Sequence, residues 1–466
     1  MTKAKQPLFS YVDLYSGIGG FRFALDAVGG ESKGFSEINR PAVNTYKMNF
    51  DDPDSADLGD VTKIKTLPQI DMLVGGVPCQ SWSVAGKMRG FEDPRGRLWY
   101  DTIKMVEASK PKAFIFENVK GLYDPRNRAN LELIIENFES LGYTVHYQLL
   151  NSYDFGLPQN RTRIFIVGFR EDMKSFSNRF TYPLPTNHPH LLADFLDGID
   201  KSGIEKSKFN PREIFGNFIP QSRNAFQMVD ELNDFFVLCD TRNGHTSIHS
   251  WDIVDTSERE KHIGMTFLRN RRKKIYGDRD GNPLSYEDIK ALIPDIKKSE
   301  LSKLIKLKIL REVDGKYDLV NSKNSSGING IYRVYMPDSK IFSTLTATGT
   351  RDMVATKAIS ADNPEEYKRL FIEEILKKNN LREITPSEAR KIQGFPDNFV
   401  MNESDVQAKK QFGNAVSPPV VRALAEKIVD TGIFDTLDGN EPVRKATYTR
   451  AREEVDAIQH NRTASK

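Results

Sequence analysis

One of the two cysteines in this 466-residue chain lies in a loop whose composition suits a reactive site. Cys79 occurs in GGVPCQSWSVAGK (75–87), directly after an apolar run that predicts a strand, and several cations follow it. Most lone cysteines are small buried hydrophobic residues, but partial exposure and nearby cations turn a cysteine into a nucleophile. Cys239, in the apolar run DFFVLCD, fits the buried description. Cys79 is therefore the candidate nucleophile.

Polar side chains that could bind a substrate accompany two further predicted strands. Glu117 ends the apolar run of FIFENV, where a carboxyl group could hydrogen-bond or protonate a substrate ring. The alternative is that Glu117 caps a following helix. Arg161 and Arg163 stand two residues apart in QNRTRIFIVG, so that a strand would direct both to one side. A structural salt bridge is the alternative for this pair.

A glycine-rich turn and two acidic residues could bind a second ligand. DLYSGIGGF (13–21) contains Gly17, Gly19 and Gly20 between a predicted strand and helix, where the backbone can approach a ligand closely. Glu37 and Asp60 follow later predicted strands, and an acid in such a position can bind ribose hydroxyls. Taken separately, the turn could be only a tight connection and each acid only a solvated loop residue.

The elements that must position these residues alternate between strands and helices. Over the first third of the chain this alternation predicts an open, doubly wound α/β sheet, in which ligands bind beyond the carboxyl ends of the strands. From about residue 175 the chain becomes richer in charge, Asn and Ser. Within that part, residues 284–320 predict two short helices and a strand pair, an order that resembles a winged helix.

Composition limits the possible classes of protein. A chain of 466 residues predicts two structural units, and no apolar run approaches the length of a membrane helix or a signal peptide. Two distant cysteines predict no disulfide framework, which suits a reducing cytoplasm. No metal site is expected. The net charge of +3 does not by itself indicate an anionic partner.

In their order along the chain, these motifs resemble the cytosine-C5 DNA methyltransferases of bacterial restriction–modification systems. The resemblance covers roughly residues 10–170 and 340–430, and residues of about 175–335 carry no signature, as expected for a variable target-recognition region. Its signatures here are DLYSGIGGF, Glu37, Asp60, GGVPCQSWSVAGK, ENV, QNRTRIFIVG, EARKIQGFPDNF (388–399) and QFGNAVSPPVV (411–421).

The resemblance implies a doubly wound, Rossmann-like domain that depends on S-adenosylmethionine, together with a smaller target-recognition domain. We place the first part of the catalytic domain at 1–175, the target-recognition domain at 176–405, with the winged-helix-like element at 284–320, and the return to the catalytic domain at 406–437. Residues 438–466 are then a polar tail.

The resemblance also implies the reaction. The enzyme would methylate carbon 5 of a cytosine within a specific short duplex DNA sequence, after flipping that base out of the helix. Cys79 would add to carbon 6, Glu117 would hold ring nitrogen 3 and the exocyclic amine, and Arg163 would hold the carbonyl oxygen at carbon 2. Arg161 would act next to the base or toward phosphate. The base that removes the carbon 5 proton is left unassigned.

For S-adenosylmethionine, the resemblance implies specific contacts. Tyr15 would contact the adenine, Glu37 the ribose hydroxyls and Asp60 the adenine amine. Asn414 comes from the far end of the chain, so that the C-terminal motif must fold back onto the first domain. The full set of expected cofactor residues is Tyr15, Gly17, Gly19, Gly20, Glu37, Asp60, Pro78 and Asn414.

Three groups of residues are expected to contact DNA. The loop after Cys79 would close over the flipped base through Ser83, Lys87, Arg89 and Arg97. The central region would contact phosphate through a cationic cluster, for which a solvated face is the alternative, and Thr344 in TLTATG would lie near the DNA backbone. The members of the cluster are Arg269, Arg271, Arg272, Lys273 and Lys274.

The expected partners are double-stranded DNA and a functionally paired restriction endonuclease, and we expect a monomer in the bacterial cytoplasm, on the nucleoid when it is bound to DNA. A tRNA cytosine methyltransferase is one alternative, but its Cys-Phe-Thr signature is absent from the sequence. A non-catalytic DNA-binding repressor is the other, and intact Cys79, Glu117, Arg161 and Arg163 argue against it.

Overall fold

The computed structural model describes residues 7–78, 98–186, 190–199, 204, 235–238, 250–279, 281–320, 332–348 and 352–435. Over these residues the chain forms two compact units. The first comprises Met1–Leu157, Arg161–His188 and Gln393–Lys466, and the second comprises Pro158–Asn160 and Pro189–Ile392. No helix of the described part is long and apolar enough to cross a membrane.

The described helices follow one another from the glycine-rich turn to the C-terminal motif. They are α1 Gly20–Ala27, α2 Arg40–Asn49, α3 Leu98–Ser109, α4 Arg128–Ser140, α5 Lys174–Ser177, α6 Ser250–Ile253, α7 Glu258–Asn270, α8 Tyr286–Leu292, α9 Lys298–Lys306, α10 Pro364–Leu370, α11 Pro386–Gln393, α12 Asp405–Asn414 and α13 Pro418–Val429.

The strands of the first unit form one mixed sheet. They are β1 Phe9–Leu14, β2 Gly30–Ser36, β3 Ala56–Asp57, β4 Met72–Gly76, β5 Ala113–Val119, β6 Tyr143–Asn151 and β7 Thr162–Arg170. Their order is β3-β2-β1-β4-β5-β7-β6, with β7 antiparallel to both of its neighbours and the other neighbouring pairs parallel. The order reverses between β1 and β4, which is the switch point where ligands bind in such sheets.

Helices cover both faces of this sheet, as alternate residues of its central strands show. Tyr11 and Ile115 face a core formed with α1 and α13, whereas Val12 and Phe116 face a second core formed with α3 and α4. Central strands that are buried on both faces must be apolar at nearly every position. The predicted doubly wound α/β fold is thus confirmed.

The chain returns to the first unit at Gln393, earlier than the residue 406 that we predicted. The Gln393 side-chain amide donates to the carbonyl oxygen of Ala415 at 2.7 Å. Phe395 packs against Phe399 and Phe412, with ring centroids 4.8 and 5.5 Å away. The aromatic residues of QGFPDNF therefore belong to the core that holds the C-terminal motif.

In its described residues, the second unit contains two separate β-structures. Its strands are β8 Phe235–Leu238, β9 Leu310–Val313, β10 Lys316–Leu319, β11 Tyr332–Tyr335, β12 Met353–Ala355 and β13 Leu381–Arg382. Strands β13-β12-β11-β8 form one sheet in that order, and β9 and β10 form a hairpin. Each structure has its own hydrophobic core.

Residues 250–320, here called the winged-helix segment, have the element order of a winged helix. After the short helix α6, the order is helix α7, a bridge between Leu284 and Tyr317, helices α8 and α9, and the β9–β10 hairpin. Trp251, Phe267 and Leu304 are among the buried residues of the core that these elements share. The segment thus begins before residue 284, because α7 supplies the first of the three helices in the winged-helix order.

Arg271 is buried within this segment, and the expectation that it contacts DNA phosphate is therefore wrong. Its Nη2 lies 3.2 Å from Oδ1 of Asp318, and both side chains are less than 5% exposed. Asp318 also pairs with Arg311 at 3.1 Å. Gly281 (φ 131°) makes room for Arg271, since a Cβ there would lie 2.4 Å from Nη2. Arg271 therefore holds the hairpin to the end of α7.

We expect Asp318→Asn to lower the free energy of unfolding of the winged-helix segment by about 3 kcal/mol. The substitution removes the buried carboxylate charge that pairs with Arg271 and Arg311, and breaking a buried ion pair is much more costly than the loss of a surface pair. Amide hydrogen exchange in α7 and the β9–β10 hairpin measures the change. Asp295→Asn, which removes an exposed partner of Arg259, is the control and is expected to leave exchange unchanged. Equal effects of both substitutions would contradict the role of Asp318.

Candidate active site

Glu117 and Arg163 form an ion pair on neighbouring strands of the first unit. The Nε atom of Arg163 in β7 lies 2.9 Å from Oε1 of Glu117 in β5. The two side chains are 17% and 12% exposed, so that the pair is partly open to solvent. In β4, Gly76 is the register partner of Glu117, and a Cβ at Gly76 would lie 3.5 Å from Oε2 of Glu117. The sheet thus presents a carboxylate and a guanidinium together at the end of β4.

Asn118 positions the strand end that leads to Cys79. Its buried side-chain amide donates to the carbonyl oxygen of Val77 at 3.2 Å, and Val77 immediately precedes Pro78. Our sequence reasoning assigned Asn118 no role, although a polar residue within an otherwise apolar strand was the available signal. Cys79, Ser83, Lys87, Arg89 and Arg97 lie outside the described residues.

Arg161 and Arg163 make different contacts. Arg161 precedes β7, which begins at Thr162, so that the alternation of side chains along a strand does not apply to it. Its side chain is 3% exposed. Nη1 donates to the carbonyl oxygen of Gly413 at 3.2 Å, and Nη2 donates to that of Ala415 at 2.8 Å. These two residues flank Asn414, which is exposed at the end of α12. Arg161 therefore fixes the backbone on both sides of Asn414.

The glycine-rich turn after β1 combines a strained backbone with one open position. Tyr15 has φ 56° and Gly17 has φ 57°, both in the left-handed region. Nothing lies within 4 Å of a Cβ added at Gly17. At Gly20, by contrast, an added Cβ would lie 2.6 Å from the carbonyl oxygen of Val416. Gly17 thus leaves room for a ligand, and Gly20 allows the turn to pack against the C-terminal motif.

Gly19 and Tyr15 contact the surrounding protein. A Cβ at Gly19 would lie 2.4 Å from the ring of Phe50, so that this glycine also serves close packing. The Tyr15 hydroxyl lies 3.0 Å from Oγ1 of Thr102 in α3. The ring of Tyr15 is therefore held between the turn and the start of α3.

Two carboxylates border the turn. Oε2 of Glu37 accepts the Gly17 amide at 3.0 Å, and Oε1 accepts the amides of Ile38 and Asn39 at 2.9 and 2.7 Å. Asp60 accepts the Thr62 amide at 3.0 Å and the Thr62 hydroxyl at 2.8 Å. These hydrogen bonds from Thr62 hold the pKa of Asp60 below its ordinary value. Asp60 is consequently an anionic acceptor at neutral pH.

Asp13 is a buried acid that our sequence reasoning left without a role. It is fully buried in β1, and neither of its carboxyl oxygens has a hydrogen-bond partner in the part of the chain that the structure describes. Burial, followed by repulsion from Glu37, raises the pKa of Asp13 well above its ordinary value of 3.8. An aspartate inside the apolar strand FSYVDL was the signal that could have identified it.

We expect Asp13→Asn to reduce the pH dependence of stability. Because the folded state raises the pKa of Asp13, the unfolded state loses this proton first as the pH rises. The wild-type free energy of unfolding then falls above about pH 4, by up to about 1.4 kcal/mol per pH unit until the folded pKa is reached. Urea unfolding between pH 4 and 7 should show a flatter profile for Asp13→Asn. Asp54→Asn, at an exposed position, is the control, and identical profiles for Asp13→Asn and wild type would contradict the expectation.

The residues that were expected to contact DNA from the second unit differ in accessibility. Arg269, Lys273 and Lys274 are exposed, and Arg272 is partly exposed. The hydroxyl of Thr344 donates to the carbonyl oxygen of Asn160. Gln159, which is fully buried, donates to the carbonyl oxygen of Ile392 and accepts the Leu345 amide, each at 3.1 Å. The segment around Thr344 is thus anchored to the start of the QNRTR motif.

The chain is similar to known cytosine-specific DNA methylases. The sequence profile of the C-5 cytosine-specific DNA methylases matches residues 9–430. The type II methyltransferase M.HgiBI of Herpetosiphon aurantiacus is 46% identical over 431 residues, which cover 92% of this chain and 98% of the relative. The type II methyltransferase M.BanI of Aneurinibacillus aneurinilyticus is 32% identical over 442 residues, with coverages of 91% and 96%. The chain therefore belongs to the C-5 cytosine-specific DNA methylase family.

Proposed function

We propose that this DNA (cytosine-5)-methyltransferase acts through a covalent bond between Cys79 and the target cytosine, and that it protects DNA from a cognate restriction endonuclease. The observation that carries the proposal is the Glu117–Arg163 pair, which adjoins the strand end that leads to Cys79. A carboxylate and a guanidinium in one place match the donors and acceptors along one edge of a cytosine ring.

Covalent catalysis solves the central chemical problem of this reaction. Carbon 5 of cytosine is too weak a nucleophile to attack a methyl donor directly. The Cys79 thiolate forms a bond to carbon 6, and the displaced electron pair makes carbon 5 nucleophilic. After carbon 5 has gained the methyl group, a base removes its proton, and that electron pair restores the ring double bond as the carbon–sulfur bond breaks. Cys79 is then released as the thiolate.

The Glu117–Arg163 pair stabilises the charge that develops when the thiolate adds. Glu117 binds ring nitrogen 3 and the exocyclic amine, and Arg163 binds the carbonyl oxygen at carbon 2. Because the two side chains already contact each other, little reorganisation is needed when the base arrives. Preorganised, charge-assisted contacts of this kind contribute strongly to catalysis.

The residues around the glycine-rich turn fit S-adenosylmethionine, which supplies the methyl group when it is bound. Glu37 offers acceptor oxygens to ribose hydroxyls beside the open position at Gly17, and Asp60 offers a carboxylate to the adenine amine. Tyr15, Pro78 and Asn414 complete the proposed contacts. Gly19 and Gly20 contribute through packing of the turn, and Arg161 contributes by positioning Asn414.

DNA is proposed to contact both units. The loop residues Ser83, Lys87, Arg89 and Arg97 close over the flipped base, while Arg269, Arg272, Lys273 and Lys274 contact phosphate. Thr344 lies near the DNA backbone in this proposal, with its own hydroxyl engaged by Asn160. Arg271 takes no part, because it is buried beside Asp318.

Bisulfite sequencing of DNA from a host that expresses the gene tests the proposed role. We expect protected cytosines at one position of one short sequence, and none in a host that expresses the Cys79→Ser variant. That DNA should also resist an endonuclease that cleaves the same sequence. Methylation spread over unrelated sequences would contradict a restriction-modification role, and preferential labelling of tRNA by the purified protein would contradict the DNA substrate.

A further inference from the structure

Helix α9 of the winged-helix segment has one face directed away from the hydrophobic core. Leu301 and Leu304 are fully buried in that core. Ser299, Ser302 and Lys306 are exposed, and their spacing of three and four residues places them on one stripe of the helix. The opposite side of α9 is therefore a polar surface, called here the α9 face.

The charge of the α9 face is positive. Lys298 and Lys303 flank the stripe and are exposed, as is Lys308 beyond the helix end. Among the residues that the structure describes, Lys306 and Lys308 have no carboxylate partner, whereas Glu300 in the same helix is engaged by Arg259 at 3.0 Å. Lys303 pairs with Glu260 at 2.6 Å, and the Lys298 ammonium lies 5.1 Å from the centroid of the Tyr286 ring. The face thus combines serine hydroxyls with a net positive charge, in which Lys306 and Lys308 have no carboxylate partner among the described residues.

The position of α9 in the fold also makes it suitable for a groove of DNA. It is the third helix of a winged-helix order, and the hairpin that follows it is fixed by the buried Asp318. In helix-turn-helix proteins, a helix in this position enters the major groove and contacts base edges. The hairpin carries the exposed acidic residues Glu312 and Asp314 beside the exposed Lys316, so that its charges nearly balance, whereas the net charge of α9 is positive.

We infer that the α9 face binds duplex DNA in the major groove, as a contact surface additional to the catalytic pair. Ser299 would hydrogen-bond base edges, and Ser302, whose hydroxyl donates to the carbonyl oxygen of Lys298 at 3.0 Å, would act there as an acceptor. Lys298 and Lys306 would contact phosphate or guanine. A protein partner is disfavoured because the stripe has lysines and serines where a protein interface has an apolar, charge-depleted core. The inference rests on the proposed function only for its substrate, duplex DNA.

The salt dependence of DNA binding by the double variant Lys298→Gln/Lys306→Gln tests this inference. The probe is a 40-base-pair duplex that carries the sequence identified by bisulfite sequencing, titrated between ~50 and ~200 mM KCl. Loss of two lysine contacts should reduce the slope of log K against log salt by about 1.8 and weaken binding roughly tenfold at moderate salt.

Lys290→Gln/Lys377→Gln is the matched control, because it removes two exposed lysines of the same unit outside the α9 face. We expect this variant to keep the wild-type slope, and circular dichroism should show that both variants melt as wild type does. An unchanged slope for the α9 variant, or an equal change in the control, would overturn the inference. A wild-type protein that fails to methylate the duplex would instead overturn the proposed function, so that the two failures are distinguishable.

Discussion

Replacement of Cys79 by serine is expected to abolish methyl transfer while DNA binding is retained. A serine hydroxyl is far less ionised than a thiol at neutral pH, so that it cannot add to carbon 6 of cytosine at a useful rate. The measurement is the transfer of labelled methyl groups from S-adenosylmethionine to duplex DNA. Cys239→Ser removes the other cysteine of the chain and is the matched control, which should keep wild-type activity.

DNA that contains 5-fluorocytosine tests the covalent step directly. Fluorine at carbon 5 leaves no proton to remove after methylation, so that the bond to the enzyme cannot be released. We expect a stable adduct with wild type and with Cys239→Ser, seen as a shifted band in a denaturing gel. An adduct that persists in Cys79→Ser would show that another residue is the nucleophile.

The substitution Arg163→Lys is expected to lower the turnover number about 100- to 1000-fold, the range seen when one preorganised charge-stabilising donor is lost. Arg163 contacts Glu117 through Nε in a planar, forked group, and lysine offers a single point charge on a flexible chain. The variant therefore cannot hold Glu117 and bind the cytosine carbonyl oxygen in the same geometry. Single-turnover kinetics at saturating DNA and S-adenosylmethionine give the rate of the chemical step.

Arg161→Lys is the comparison for Arg163→Lys, since both change an arginine of the same motif. Arg161 donates to the carbonyl oxygens on either side of Asn414, and lysine cannot span both in the same way. We expect a raised KM for S-adenosylmethionine with a smaller change in turnover number. A wild-type turnover number for Arg163→Lys, or the same kinetic pattern in both variants, would contradict the division of roles.

Much of the first unit was predictable because its elements are local patterns. Strands β1, β4 and β5 are largely apolar, and turn residues follow each of them. Such runs need no knowledge of distant contacts to be recognised as buried strands. In the winged-helix segment, by contrast, we did not predict helix α7, because we interpreted its C-terminal end only as part of a cluster of cations.

The candidate site was predictable in its members but not in their separate tasks. Motif order identified Glu117 and Arg163 together, and the structure shows them in contact. Strand alternation predicted that Arg161 and Arg163 point to one side, although Arg161 is buried against carbonyl oxygens and Arg163 is partly open. A charge in a sequence does not reveal its partner, since partners such as Gly413 and Ala415 come from a distant part of the chain.

The sequence by itself determined the fold class, the family resemblance and the identity of the candidate catalytic residues, because local hydrophobic patterns and ordered motifs encode them. Only the tertiary structure decided which charges are available to ligands. Arg271 is unavailable to DNA because it is buried in an ion pair with Asp318. Asp13 has a raised pKa because it is buried inside the sheet. Burial and pairing set the energy of a charge, and both depend on which distant segments the fold brings together.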